Sequence, residues 1–217
     1  MNKLCWIIGF TVAAIGARGL AADKTYKPND EGFILNWLIL DPIALDEKAQ
    51  DHTEESEKEF FDKEHFKGQK AATPKAGDKI KVEGEELTWR TYESPDSMLD
   101  FRAFADEQGT SPDQCIFLGV AYIIAEKEIS GIKLSTSTDD SGAWSLNGKE
   151  LIRMYGWATD PDHDQSTPIT LKVGVNILTF SVINGGGASG LYCRFLDKND
   201  NPVTKGYVIS LTPPEKK

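Results

Sequence analysis

The residues of this 217-residue chain best placed to do chemistry are two adjacent carboxylates, Asp139 and Asp140, followed by Ser141-Gly142. Calcium takes about six to eight oxygen ligands, so neighbouring carboxylates on one loop are half of a site. Asn147 or the acidic loop Asp160-Pro161-Asp162-His163-Asp164-Gln165 are the sources for the rest. The same Asp-Asp-Ser-Gly run also makes a turn without any ion, because Asp bonds nearby backbone groups and Gly takes positive φ. A turn and an ion site are compatible, and the sequence leaves both open.

A second set of residues suits saccharide recognition, which needs aromatic faces for the apolar side of a sugar ring and polar groups to fix its hydroxyls. Trp144, Tyr155 and Trp157 lie close together in sequence, with Arg153, Asn147 and Asn184 near strand ends. Trp157 is the leading candidate because it falls in a loop, and sandwich loops are exposed while strand tryptophans fill the core. Trp37, Trp89 and Trp144 sit inside apolar strand runs and are read first as core. The candidate ligand-binding set is Trp157, Tyr155, Arg153, Trp144 and Asn147, with Asp139 and Asp140 as the candidate calcium ligands. Gly185-Gly186-Gly187 either lets a ligand approach the backbone or is a plain flexible connection.

Catalytic patterns are scarce. Glycoside hydrolysis needs two carboxylates about 5–9.5 Å apart across a cleft, and a chain this acidic contains such pairs by chance. There is no Gly-x-Ser-x-Gly elbow, His-Glu-x-x-His, phosphate loop or Cys-x-x-Cys. Cys115 with His163 is weak support for a thiol nucleophile. His52 and His65 read as surface residues of an acidic helix, since no third ligand at matching spacing accompanies them. The expectation is a protein that is not an enzyme.

These residues must be positioned by strands. Phe33-Ile34-Leu35-Asn36-Trp37-Leu38-Ile39-Leu40 is a short, nearly continuous apolar run closed by Asp41-Pro42, which reads as a strand buried on both faces. Further strands are expected at 79–82 and 86–92 around the Glu83-Gly84-Glu85 turn, at 98–104, 115–125 and 131–137. Others follow at 143–146 and 149–152 around Asn147-Gly148, the strongest short hairpin signal, and at 167–171, 176–183, 191–196 and 207–211. About ten strands at this spacing indicate an antiparallel sandwich or barrel. One amphipathic helix is expected over 54–66, within an insertion of about 45–78, and 69–78 is read as an exposed loop.

The N-terminus carries Lys3, an apolar run from Leu4 to Ile15, then small residues ending Gly19-Leu20-Ala21-Ala22. That order is a secretory signal over residues 1–21, cut after Ala21; the apolar run is too short for a spanning helix, which needs about 20 residues. The expected organisation is the signal, a polar leader over 22–31, one β domain over 32–212 and a tail over 213–217. The whole chain has net charge −10, and loss of Lys3 and Arg18 with the signal leaves −12. Such acidity repels phosphate backbones and anionic lipid, so nucleic acid is excluded as an expected partner and no transmembrane segment is expected in the mature chain. Cys115 and Cys193 remain, either as a disulfide or as buried free thiols.

The stretch Thr138-Asp139-Asp140-Ser141-Gly142-Ala143-Trp144-Ser145-Leu146-Asn147-Gly148-Lys149 resembles a turn–strand–Asn-Gly segment of secreted galactose-binding-like jelly-roll modules, including sugar-binding domains attached to bacterial glycoside hydrolases. Ile169 to Val182 matches too, through Leu171-Lys172-Val173-Gly174-Val175-Asn176, as do Phe33 to Pro42, Ala76 to Trp89 and Leu191 to Asp197. Departures are Asp41-Pro42-Ile43 in place of Gly-Pro-Phe, and Ser141 interrupting Asp-Asp-Gly. Thr138 to Ile152 is also similar to the PA14-type sandwich, in which some lectin members hold calcium with adjacent aspartates. What the resemblance implies is a mainly β, galactose-binding-like jelly roll that is secreted to periplasm or medium. Its function would be non-catalytic and carbohydrate-binding, possible calcium included, with a glycan or polysaccharide as partner beside a separate secreted enzyme or envelope protein. The alternative is a structural or protein-interaction sandwich of the cell envelope without a glycan ligand.

Overall fold

The computed structural model describes residues 24–213. The signal peptide expected over 1–21 and the tail beyond Pro213 lie outside the described residues. Among those described, no helix is long and apolar enough to cross a membrane.

Ten main strands build two antiparallel sheets: β1 (Asn36–Leu40), β2 (Lys79–Val82), β3 (Glu85–Glu93), β4 (Cys115–Ala125), β5 (Ile129–Asp139), β6 (Gly142–Leu146), β7 (Lys149–Met154), β8 (Gly174–Asn184), β9 (Gly190–Leu196) and β10 (Tyr207–Ser210). The large sheet runs β7-β6-β8-β4-β1-β3-β2, with β10 and the short pairings at Thr25–Tyr26 and Ile43–Ala44 completing it. The smaller sheet sets β5 beside β9, extended by Asp164–Gln165, Ile169–Leu171 and Leu99–Asp100. The expected antiparallel β-sandwich is present.

Local chemistry explains the turns. Asn147 and Gly148 both take positive φ, 53° and 76°, as a two-residue hairpin requires. The β2–β3 turn does the same with Glu83 and Gly84. Period-two alternation is clear in β6, where Gly142, Trp144 and Leu146 are buried while Ala143 and Ser145 are half-buried on the opposite face.

The core lies between the sheets. Trp37 meets Phe180 edge-on at 4.9 Å, and Phe101 stacks on Phe117 at 4.5 Å with planes 9° apart. Such pairs add roughly 0.5–1.5 kcal/mol beyond burial. Gly119 permits this arrangement: a Cβ there would stand 2.2 Å from the Phe180 ring.

β1 is buried along its whole length, as its unbroken apolar run predicts. The segment 45–78 crosses the outer face of the same sheet. That segment carries helix α1 (Glu54–Asp62), shorter than the expected 54–66, and single turns at Ala49–Asp51 and Gln69–Ala71. Thr53 caps α1 reciprocally with Ser56, and Glu54, Glu55 and Glu57 occupy its electropositive first turn. Tyr122 on the outer face of β4 donates to Pro74 O at 2.7 Å and ties the end of the segment to the sheet.

Two expectations are corrected, and one open alternative is decided. Residues 98–104 are not one strand: Leu99–Asp100 pairs briefly, and Phe101–Gln108 forms a second helix, α2. Asp100 accepts from Ala103 N, Gly109 closes the helix in the left-handed region, and Phe101, Phe104 and Ala105 bury one helical face, a period that the strand pattern concealed. His65 is not a surface residue; it is buried against Phe60, ring centroids 4.6 Å apart. Cys115 and Cys193 are both buried free thiols.

Candidate functional site

The expected binding residues fall in two places. The first is the sandwich end where β5 turns into β6. Asp139 and Asp140 lie there, half-buried, joined by a cis peptide bond. Asp140 Oδ2 accepts from Gly185 N at 2.9 Å, and Asp140 N donates to Ile183 O at 3.2 Å. The turn is therefore held against the glycine loop after β8. Burial, and then the hydrogen bond and charge of Asp140, push the Asp139 carboxyl up to about 6. The two acids crowd one another.

Ser141 fixes the turn from behind. Its hydroxyl donates to Glu57 Oε2 at 2.5 Å and accepts from Gly156 N at 2.8 Å. Glu57 is buried and also faces His52 Nδ1 at 3.3 Å, while His52 Nε2 meets Gln114 Oε1 at 3.0 Å and Gln114 donates to Gly185 O at 2.5 Å. Helix α1 thus reaches the carboxylate turn through one buried acid. A Cβ at Gly185 would stand 2.9 Å from the His52 ring, so a side chain there would displace the imidazole.

Trp157 completes this end. Gly156 N on Ser141 and Ala158 N on Thr138 O, each 2.8 Å, bind its two neighbours to the carboxylate turn. The indole is left 69% exposed, the largest exposure of any bulky apolar side chain among the described residues. Trp144, by contrast, is fully buried. It packs below Gly142, where a Cβ would stand 2.6 Å from its ring, so it supports the turn from the core and presents nothing to a ligand.

The second place is a cleft of about 530 Å³ between the outer face of the large sheet and the segment 61–72. Arg153 lies here, with Nη2 on Glu150 Oε2 at 2.5 Å and on Asp62 Oδ1 at 2.9 Å, and its guanidinium 5.5 Å from the Phe61 ring centroid. Glu150, Tyr155 and Asp62 together raise its pKa further, outweighing burial. Tyr155 is half-buried between the two places.

Asn147 also lines the cleft, at the opposite end of β6 from the carboxylates. The five-residue strand separates it from them by roughly 15 Å. Its Oδ1 accepts from Ile177 N and its Nδ2 donates to Asn176, so its side chain belongs to the hairpin and cannot complete an ion site at Asp139. The acidic loop is likewise engaged: Asp162 pairs with Arg194 and accepts from Ser135, and Asp164 faces His163. Cys115 donates to Pro112 O at 3.1 Å and burial pushes its thiol up to about 12, so it offers no thiolate near neutral pH.

No protein-family model and no curated protein matches the chain. Among solved structures it is similar to the PA14 sugar-binding domain of an RTX adhesin, at 13% identity and TM-score 0.42, over 80% of this chain and 96% of that one. It is similar also to the A domain of a Candida glabrata epithelial adhesin in complex with β-lactose, at 8% identity and TM-score 0.36, over 88% and 94%. A Kluyveromyces marxianus β-glucosidase matches 56% of this chain at 16% identity and TM-score 0.35, and the match spans 16% of that enzyme's length. At such identities and TM-scores the likeness carries no function across.

Proposed function

We propose that the protein is a secreted, non-catalytic carbohydrate-binding module whose glycan site is the sandwich end formed by Asp139, Asp140 and Trp157. The observation that carries this reading is an exposed indole whose two chain neighbours donate to Ser141 Oγ and Thr138 O, on either side of a turn of two crowded carboxylates. An aromatic plane beside converging oxygens is what a sugar ring requires, apolar on its faces and hydroxylated around its rim.

The carboxylate pair would supply part of the oxygen set a divalent cation takes, with no third His, Cys, Asp or Glu placed beside it among the described residues. Asp139 and Asp140 would hold calcium, which supplies a fixed positive charge to which sugar hydroxyls bind. Water, backbone oxygens and the glycan would complete the coordination, because Asn147 and Asp162 are engaged elsewhere. Trp157 then orients the ring, and Glu57 keeps the turn in place through Ser141.

The test is a polysaccharide and glycan panel run with calcium and with chelator. Calcium-dependent binding that D140N and W157A each abolish is expected. No binding by demonstrably folded protein under either condition would refute the proposal and leave an envelope interaction module as the reading.

A further inference from the structure

The cleft beside Arg153 is a second candidate site, separate from the carboxylate turn. Its floor is the outer face of β6 and β8, where Ser145 lies directly opposite Thr179 and Ser181 follows two residues along β8. All three side chains are half-buried, and none of the hydroxyls has a hydrogen-bond partner among the described residues. Its wall is aromatic: Phe61 and Phe66, both half-buried, face this floor from the covering segment. A volume of about 530 Å³ is within the range of small-molecule sites, roughly 300–1,000 Å³.

Three unclaimed hydroxyls opposite two aromatic rings suit a ligand with an apolar face and a hydroxylated edge. Half-buried and open to the cleft, these hydroxyls are available to bond a ligand that enters it. Among the charged groups of the cleft, Arg153 is engaged through Nη2 by Glu150 and Asp62 and Lys63 pairs with Glu83, while Arg153 Nη1 is buried without a partner and leaves one N–H donor for a ligand oxygen. We infer that the cleft between β6–β8 and residues 61–66 binds a short neutral saccharide without a metal ion, Ser145, Thr179 and Ser181 fixing hydroxyls and Phe61 and Phe66 packing on ring faces. The inference stands on its own residues and does not depend on the carboxylate turn.

The experiment follows amide resonances of the full protein in EDTA during titration with cellotriose, xylotriose and maltotriose, in the wild type, in S145A/T179V and in D139N/D140N. The S145A/T179V pair removes two hydroxyls with little change of shape, and F61A is a second variant that removes one wall. The expected result is that at least one trisaccharide shifts resonances along β6, β8 and residues 61–66. Its affinity should fall about tenfold or more in S145A/T179V and in F61A, and stay unchanged in D139N/D140N. Absence of shifts in the cleft with all three sugars, or affinity unaltered in both cleft variants, would overturn the inference. Sugar shifts that appear only when calcium replaces EDTA and vanish in D139N/D140N would also overturn it, while supporting the end site; binding in EDTA confined to the cleft supports the inference and leaves the end site to its own calcium test.

Discussion

The sandwich end and the sheet-face cleft are built from opposite materials. At the end, charge is concentrated on one turn whose supports are tied: Asp140 Oδ2 to Gly185, Ser141 to Glu57, Gln114 to Gly185. In the cleft Arg153 Nη2 is tied to Glu150 and Asp62, and the untied groups are three hydroxyls and Arg153 Nη1. The difference teaches that preorganisation and vacancy are separate properties. The end is rigid and electrostatically loaded, as a cation-assisted site must be; the cleft is neutral and open, as direct sugar contact requires.

Variants can break that comparison at its shared support or on one side of it. W144A removes the core side chain under the turn and should cost about 3–5 kcal/mol, lowering thermal stability and weakening both places together. E57A leaves Ser141 and His52 without their buried partner and should cost about 2–3 kcal/mol. Calcium affinity by titration calorimetry should fall in E57A while trisaccharide binding in EDTA persists. Equal losses in the two assays would mean that α1 supports both places alike.

Acid sharpens the comparison from the other side of α1. Burial, and then Lys63, hold His65 down to about 4, below its ordinary value near 6.5. The unfolded chain therefore takes up the proton first, and the contribution of His65 to stability falls as pH drops from about 6.5 to 4, by up to about 3 kcal/mol, opposed over part of that window by Asp139, whose raised pKa makes the folded chain take up its proton first. Below that window this contribution levels off. H65L should flatten the melting temperature over this range, and an equally steep decline in the variant would remove His65 as the cause.

The smallest effect on stability is expected for W157A, within about 0.5 kcal/mol because the indole is exposed. Its effect on glycan binding at the end should nevertheless be complete, while the cleft titration is unchanged. A melting temperature that drops by many degrees would show that Trp157 packs and does not wait for a ligand.

Much of this was legible in the sequence, for identifiable reasons. Strand β4 and the Asn147-Gly148 hairpin follow from local patterns, a long apolar run and a dipeptide that tolerates positive φ. Exposure of Trp157 follows from its place in a loop. Other features depend on distant partners. Phe101 to Ala105 satisfies helical and strand periods alike, and the cap at Asp100 decides between them. Asn147 looked like a free ligand because its partners, Asn176 and Ile177, lie 29 and 30 residues away. Glu57 and Ser141 are 84 residues apart, so no spacing rule brings them together. The cleft is the same case, since its floor and wall come from opposite halves of the chain; a hydroxyl on the outer face of a strand was the only local signal.

The most direct test of the end site uses the tryptophans themselves. Trp37, Trp89 and Trp144 are buried and Trp157 is exposed, so indole N–H resonances report the two environments within one sample. Calcium, followed by a glycan from the binding panel, is predicted to shift the Trp157 resonance in two steps and leave the buried three in place, with both steps absent in D139N/D140N. A Trp157 resonance that ignores calcium and glycan alike, or steps that survive in D139N/D140N, would contradict the account.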